Sequence, residues 1–202
     1  MEKVKKRQRL LSLLSDNQGR FYYTGAIDGK DGPMTKDGAR RFLEDYGFEV
    51  ETVVDLGDAP TIDGNAVMVF SLAADGDKLV SPHFRVREFA CNDGSDVVLI
   101  HPILPVWAEA FRTINGAFSP RHDGSAYRTV IYNATLDGAS PKSKHCMGLA
   151  MDIHAKKATV QELYDRAVSI MGESGGLGIY DWGIHVDCRS IKARWDYRGK
   201  KA

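Results

Sequence analysis

The sequence is poor in cysteine, carries no excess of either charge and has no long apolar run. Its three cysteines, Cys91, Cys146 and Cys188, are an odd set with no C-x-x-C pair. They exclude a disulfide framework and a thiolate-built structural zinc site, and read as reduced thiols. Lysine plus arginine number 27 and aspartate plus glutamate also 27. No global field therefore draws in nucleic acid or an anionic membrane, and the partner must be recognised locally. Met1 to Ser15 is basic, but Lys, Arg, Gln and Ser interrupt its apolar residues, so the continuous core of a signal peptide is missing. No stretch approaches the ~20 apolar residues of a membrane helix. A monomer without membrane insertion and without a nucleic-acid partner is expected. Activity outside the cell would need a delivery route other than a cleaved signal.

What is present is the profile of a globular chain: 202 residues, 43% hydrophobic and 27% charged. That length suits a catalytic domain of ~150 residues with a small appended module. Val4, Leu10, Leu11 and Leu14 recur on one helical face near the start. The segment from Tyr23 to Pro33 holds two turn signals, Asp28-Gly29 and Asp31-Gly32, after which Thr35 offers an N-cap for a second helix. Ala39, Phe42, Leu43 and Tyr46 would be its buried face, and Gly38 would weaken it by ~1 kcal/mol relative to alanine.

This helix, Asp-Gly loop and helix, with Gly25-Ala26-Ile27-Asp28-Gly29 and Gly32-Pro33-Met34-Thr35 in the loop, resembles the peptidoglycan-binding module of many wall hydrolases. The likeness covers roughly the first fifty residues, and Leu43 stands where that family places glutamine after phenylalanine. A calcium site on Asp28 and Asp31 is not indicated, because the spacing and terminal glutamate of an EF-hand are absent.

Further along, the apolar run from Ala66 to Leu72 reads as a strand or an ordered connector. Leu104, Trp107, Phe111 and Ile114 fit a helix that Asn115-Gly116 ends. Thr159 with Glu162 forms a capping box ahead of the stripe Val160, Leu163, Ala167 and Ile170. Arg128 to Asn133, Leu149 to Ala155 and Ile184 to Cys188 read as short β-runs. The fold class is therefore α+β: a small antiparallel sheet with flanking helices, preceded by a small helical domain. The expected division is a module over 1–50, a connector over 51–80 and the main domain over 81–202.

Period-two alternation puts Ala150, Asp152 and His154 on one face of the first of these late strands, and His185, Asp187 and Arg189 on one face of the second. His145 stands seven residues before Asp152 with Gly148 between, so a turn could fold its imidazole back toward the carboxylate. Two histidines and one carboxylate suit zinc with an open position for a water of pKa near ~7, a hydrolytic nucleophile.

Ser143-Lys144-His145 followed by Gly148, Ala150 and Asp152 resembles the S-x-H-x-x-G-x-A-x-D signature of the M15 family of zinc D-Ala-D-Ala peptidases. The likeness runs from about Ser81 to Trp195, taking in Phe84 to Cys91, Ala126-Tyr127-Arg128-Thr129 with Asn133, and Ile184-His185-Val186-Asp187. It implies that His145, Asp152 and His185 bind Zn2+, that Arg128 meets a substrate carboxylate or carbonyl, and that bacterial peptidoglycan is the substrate. Many relatives carry an acid three residues before the last histidine, where this chain has Trp182. Asp181 and Asp187 are then the candidates for orienting the water or protonating the leaving amine, Asp187 alternatively holding a ligand imidazole or Arg189 in place. His154 reads as a surface or supporting histidine. The implied reaction is hydrolysis of a stem-peptide amide by a D,D-carboxypeptidase or an endopeptidase, in an architecture similar to a phage endolysin. The alternative is a non-catalytic wall-binding or virion structural protein with a vestigial zinc site.

Overall fold

The computed structural model describes residues 1–14, 16, 18–46, 49–50 and 67–199. At the start, α1 (Glu2–Leu13) and α2 (Pro33–Tyr46) pack across the Asp-Gly loop. Leu10, Leu11 and Leu14 are buried, and Phe42 stacks on Tyr46 with ring centroids 4.2 Å apart while meeting Tyr22 edge-on. Fully burying each such side chain contributes ~1.5–3 kcal/mol. The loop is organised by Gln8, whose buried amide nitrogen lies 3.0–3.3 Å from Tyr23 Oη, Asp28 Oδ1, Lys30 O and Thr35 Oγ1 and shares its two hydrogens among them, while its oxygen accepts from Gly29 N. Asp28 also accepts from Lys30 N in a local turn.

Three expectations for α2 need correction. The helix starts at Pro33, not after a Thr35 cap, because proline is pre-organised for the first helical position. Thr35 sits inside the first turn, where its hydroxyl faces Gln8. Leu43 is exposed, and Thr35 and Gly38 join Phe42 and Tyr46 on the buried face. Gly38 is a packing requirement, since a Cβ there would lie 2.2 Å from Tyr22 O.

The main body opens with β1 (Met68–Ser71), which pairs antiparallel with β2 (Val97–Ile100), followed by the single turn α3 (Leu72–Asp75). Residues 51–66, most of the span read as a connector, lie outside the described residues. Next come α4 (Ile103–Asn115), ended by Gly116 at φ 74, then β3 (Gly124–Ser125) and α5 (Val130–Ala134). The β-run expected over Arg128 to Asn133 is thus a loop and a short helix: Thr129 accepts from Tyr132 N, and that cap overrides the β-branched Thr-Val-Ile sequence. The remaining elements are β4 (Ala150–His154), α6 (Val160–Met171), β5 (Gly176–Ile179), β6 (Gly183–Asp187) and β7 (Ala193–Asp196). The Thr159–Glu162 capping box is present at the start of α6.

The five-stranded sheet has the order β3-β4-β6-β5-β7, antiparallel throughout except for the parallel β5–β7 pair. One face, bearing Met151, Ile153, Leu177, Ile179, Ile184 and Val186, is core and packs toward α6, with α4 against α6 in turn. The apolar cluster is continuous from Leu10 and Phe42 through Phe111 to Val186. Among the described residues, no helix is long and apolar enough to cross a membrane.

Gly38→Ala should destabilise the protein by ~1–3 kcal/mol in urea or thermal unfolding, because a backbone clash outweighs the helix-propensity gain. A more stable variant would show that the approach of Tyr22 to α2 is not tight.

Candidate metal centre

The face of the sheet away from α6 carries one continuous row of residues. Ser125 pairs with Asp152, Asp152 with His185, His185 with Gly178 and Gly178 with Trp195, so five residues on β3, β4, β6, β5 and β7 stand side by side. Residues directly opposite in such pairs share a face, with Cβ atoms ~4.5–5.5 Å apart. Two potential ligands therefore become neighbours purely through strand register. The third, His145, sits in a turn of 3-10 helix over Lys144–Met147. Gly148 closes that turn at φ 67, and a Cβ there would lie 2.6 Å from Leu99 O. Both the left-handed backbone and the lack of space demand glycine.

His145 Nε2 lies 3.2 Å from His185 Nδ1, His185 Nδ1 lies 2.8 Å from Asp152 Oδ1, and His145 Nε2 lies 3.2 Å from Asp152 Oδ1. Tetrahedral zinc with bonds of ~2.0–2.1 Å spaces its ligand atoms ~3.3 Å apart. The donor set and its spacing thus fit a zinc ion. Among the described residues, these three are the group of His, Cys, Asp and Glu that could hold a metal ion.

Hydrogen bonds behind the trio select the nitrogen that each imidazole presents. His145 Nδ1–H donates to Ala126 O at 2.7 Å, leaving Nε2 to carry the inward lone pair. His185 Nε2–H donates to Asp187 Oδ2 at 3.1 Å, which turns Nδ1 toward Asp152. Asp187 is fully buried and also accepts from Gly176 N, Arg189 N, Arg189 Nε and Arg189 Nη2. Room for its carboxylate exists because residue 176 is glycine: a Cβ there would lie 2.2 Å from Asp187 Oδ2. On the other side, Arg128 Nη2 donates to Asp152 Oδ2 at 2.7 Å and Arg128 Nε to Ser125 Oγ at 2.7 Å.

Burial alone would raise the Asp152 carboxyl, but the imidazoles of His145 and His185 hold it far below the ordinary range. Asp187 is likewise held low against burial by His185 and Arg189. Burial opposes charge on His185, yet its hydrogen bonds to Asp152 and Asp187 raise it to about 9.

The structure therefore brings His145, Asp152 and His185 together, sets Arg128 on Asp152 and places Asp187 behind His185. It does not bring Asp181 to them. Asp181 is exposed at the β5–β6 corner, and its carboxylate accepts from Gly199 N. His154 is exposed with its ring against Trp182. Sequence reading missed Ser125, Gly178, Tyr180 and Trp195. A signal for Gly178 and Tyr180 was present, since Gly176, Gly178 and Tyr180 alternate as a strand face, but glycine has low strand propensity and masks it.

The family model for Peptidase M15 matches residues 82–187, just over half of the chain and a span containing Arg128, His145, Asp152 and His185. The protein belongs to the peptidase M15 family, which makes it a metallopeptidase. No curated protein and no solved structure gives a significant match.

In chelated protein, His185 at about 9 against its ordinary 6.5 is protonated at neutral pH. Its raised value contributes stability that is complete below 6.5 and is lost as pH rises through about 9. The stability of the chelated protein should therefore fall over that window. Zinc binding near neutral pH should release about one proton, a yield that vanishes above His185's own titration. Calorimetry in buffers of differing ionisation enthalpy reads this, and no proton release would contradict it. Asp187→Asn should weaken zinc binding by ~10–100-fold in a competitive chelator titration.

Proposed function

We propose that the protein is a zinc-dependent peptidase that hydrolyses an amide bond in the stem peptide of bacterial peptidoglycan, with His145, Asp152 and His185 as the zinc ligands. The observation that carries this reading is the convergence of three ligand atoms, at zinc-like spacing, inside the region matched by the family. Zinc bound there would polarise a carbonyl and acidify a water. His145 and His185 supply neutral imidazole nitrogens fixed by Ala126 O and Asp187. Asp152 supplies Oδ1, its other oxygen being engaged by Arg128. With Nε and Nη2 committed, Arg128 still has Nη1 to meet a substrate carboxylate or carbonyl. Asp187 is a positioning residue, since every contact it makes orients His185 or Arg189 or anchors the backbone. Asp181 receives no chemical role in this reading.

The helical unit over 1–50 is read as a peptidoglycan-binding module that holds the enzyme on the wall. That architecture favours an endopeptidase of endolysin type over a D,D-carboxypeptidase. A second reading, a wall-binding or virion structural protein with a vestigial zinc site, is favoured by one observation: Trp182 stands where many relatives carry an acid.

Digestion of purified peptidoglycan, with mass spectrometry of the released fragments, separates these readings. Chelation should abolish release and added zinc restore it, with new peptide termini inside the stem or cross-link. Free D-alanine as the sole product would exclude the endolysin version. Wall binding without any chelator-sensitive release would establish the non-catalytic reading instead.

A further inference from the structure

Among the described residues, the acids that the sequence offered to the centre are all otherwise engaged. Asp152 belongs to the trio, Asp187 is buried under its five hydrogen-bond donors and Asp181 faces Gly199. Any group that stabilises negative charge developing on a substrate carbonyl must therefore be a cation or a neutral donor. Arg128 stands at the β3 end of the row that carries the ligands. A neutral donor stands toward the other end, held by Trp195.

Tyr180 follows β5 on the same face as Gly176 and Gly178, beside the Gly178–His185 pair. Its ring is fixed by stacking on Trp182, with centroids 4.8 Å apart at 16°, and on Tyr197, 5.6 Å apart at 24°. Its oxygen lies 2.9 Å from Trp195 Nε1. The ring of Trp195 is 5.4 Å from that of His185 and lies across Gly178, where a Cβ would come within 2.2 Å of the indole nitrogen. An indole N–H only donates, so the Tyr180 oxygen is the acceptor in that bond and its own O–H proton remains to be given elsewhere. Among the described residues, no group accepts it. Through Trp195, which touches both Tyr180 Oη and the His185 ring, the phenol stands on the ligand-bearing face of the sheet.

Building on the peptidase reading, we propose that Tyr180 is a catalytic residue whose phenol hydroxyl donates a hydrogen bond to the oxyanion that forms on the scissile carbonyl. As water oxygen bonds to the carbonyl carbon, the carbonyl π pair moves onto its oxygen, and Tyr180 O–H meets that charge without giving up its proton. When the C–N bond breaks, the oxyanion pair returns to re-form the carbonyl and the C–N bonding pair leaves with nitrogen. The proton given up by the attacking water passes to that departing amine, and the hydrogen bond from Tyr180 relaxes. The contact is stronger with the charged adduct than with the ground-state carbonyl, which is the condition for accelerating the reaction. Trp195 is the positioning residue that holds the phenol oxygen in place.

Tyr180→Phe in the full-length, zinc-loaded protein keeps both ring stacks and removes only the hydroxyl. The expected result is a kcat lower by ~10²–10³ with KM changed less than about twofold, at unchanged zinc content. A readout independent of turnover is calorimetric affinity for phosphinate analogues of D-Ala–D-Ala and L-Ala–D-Glu, which mimic the tetrahedral adduct. The better-bound analogue should lose ~10-fold or more in affinity, while the corresponding cleavage product binds the variant as it binds the wild type. Trp195→Phe, which retains the phenol, should lose less than Tyr180→Phe. Equal phosphinate affinity in wild type and Tyr180→Phe overturns the proposal, as does a wild type that binds neither analogue. Equal losses in the two variants would overturn it too, leaving Tyr180 an anchor for Trp195. A wild type that binds phosphinate yet shows no zinc-restored hydrolysis sinks the peptidase reading alone, and the affinity ratio still decides on Tyr180.

Discussion

The pairing of β4 with β6, which sets Asp152 directly opposite His185, is the constraint on which the rest of the site depends. A slip of one residue would send Asp152 to the opposite face, into the layer of Met151 and Ile153, and separate the carboxylate from both imidazoles. Several features hold the register. Met151, Ile153, Ile184 and Val186 are wholly buried on the core face, so a slip would expose them and bury charge. Gly124 and Gly183 flank β4 on its two sides, and a Cβ at either would lie about 2 Å from a β4 carbonyl oxygen. The strands can approach only with glycine at those points.

Charge then runs along this scaffold in alternation: Arg189, Asp187, His185, Asp152, Arg128. Two carboxylates are taken out of water, a cost of several kcal/mol each if left uncompensated. Each is compensated by a guanidinium on its outer side and an imidazole on its inner side. Such a line does more than stabilise buried charge. It fixes which oxygen of Asp152 and which nitrogen of His185 point inward, and so converts side chains that merely stand near one another into a preorganised donor set.

The helical unit at the start uses a neutral version of the same device. Gln8 satisfies a loop whose backbone would otherwise leave polar groups unpaired, and α1 packs onto α6 within one continuous apolar cluster. Because α6 also supports β5 and β6, the helical unit and the strand that carries His185 rest against one helix.

The sequence by itself determined what can be read from period and residue type. Alternation placed Asp152 and His185 on available faces, the Thr159–Glu162 box marked the start of α6, and the S-x-H-x-x-G-x-A-x-D pattern singled out His145. Propensity misled where one hydrogen bond outweighed it, as Thr129 shows in capping a helix within a β-branched run. It was silent on β5, whose glycines exist to make room for Asp187 and Trp195. Only the tertiary structure decided the order of the strands, and with it that Ser125, Asp152, His185, Gly178 and Trp195 form one row. Strand order is set by packing between segments distant in sequence, so neither Tyr180's contact with Trp195 beside that row nor Asp181's diversion to Gly199 could be read from local spacing.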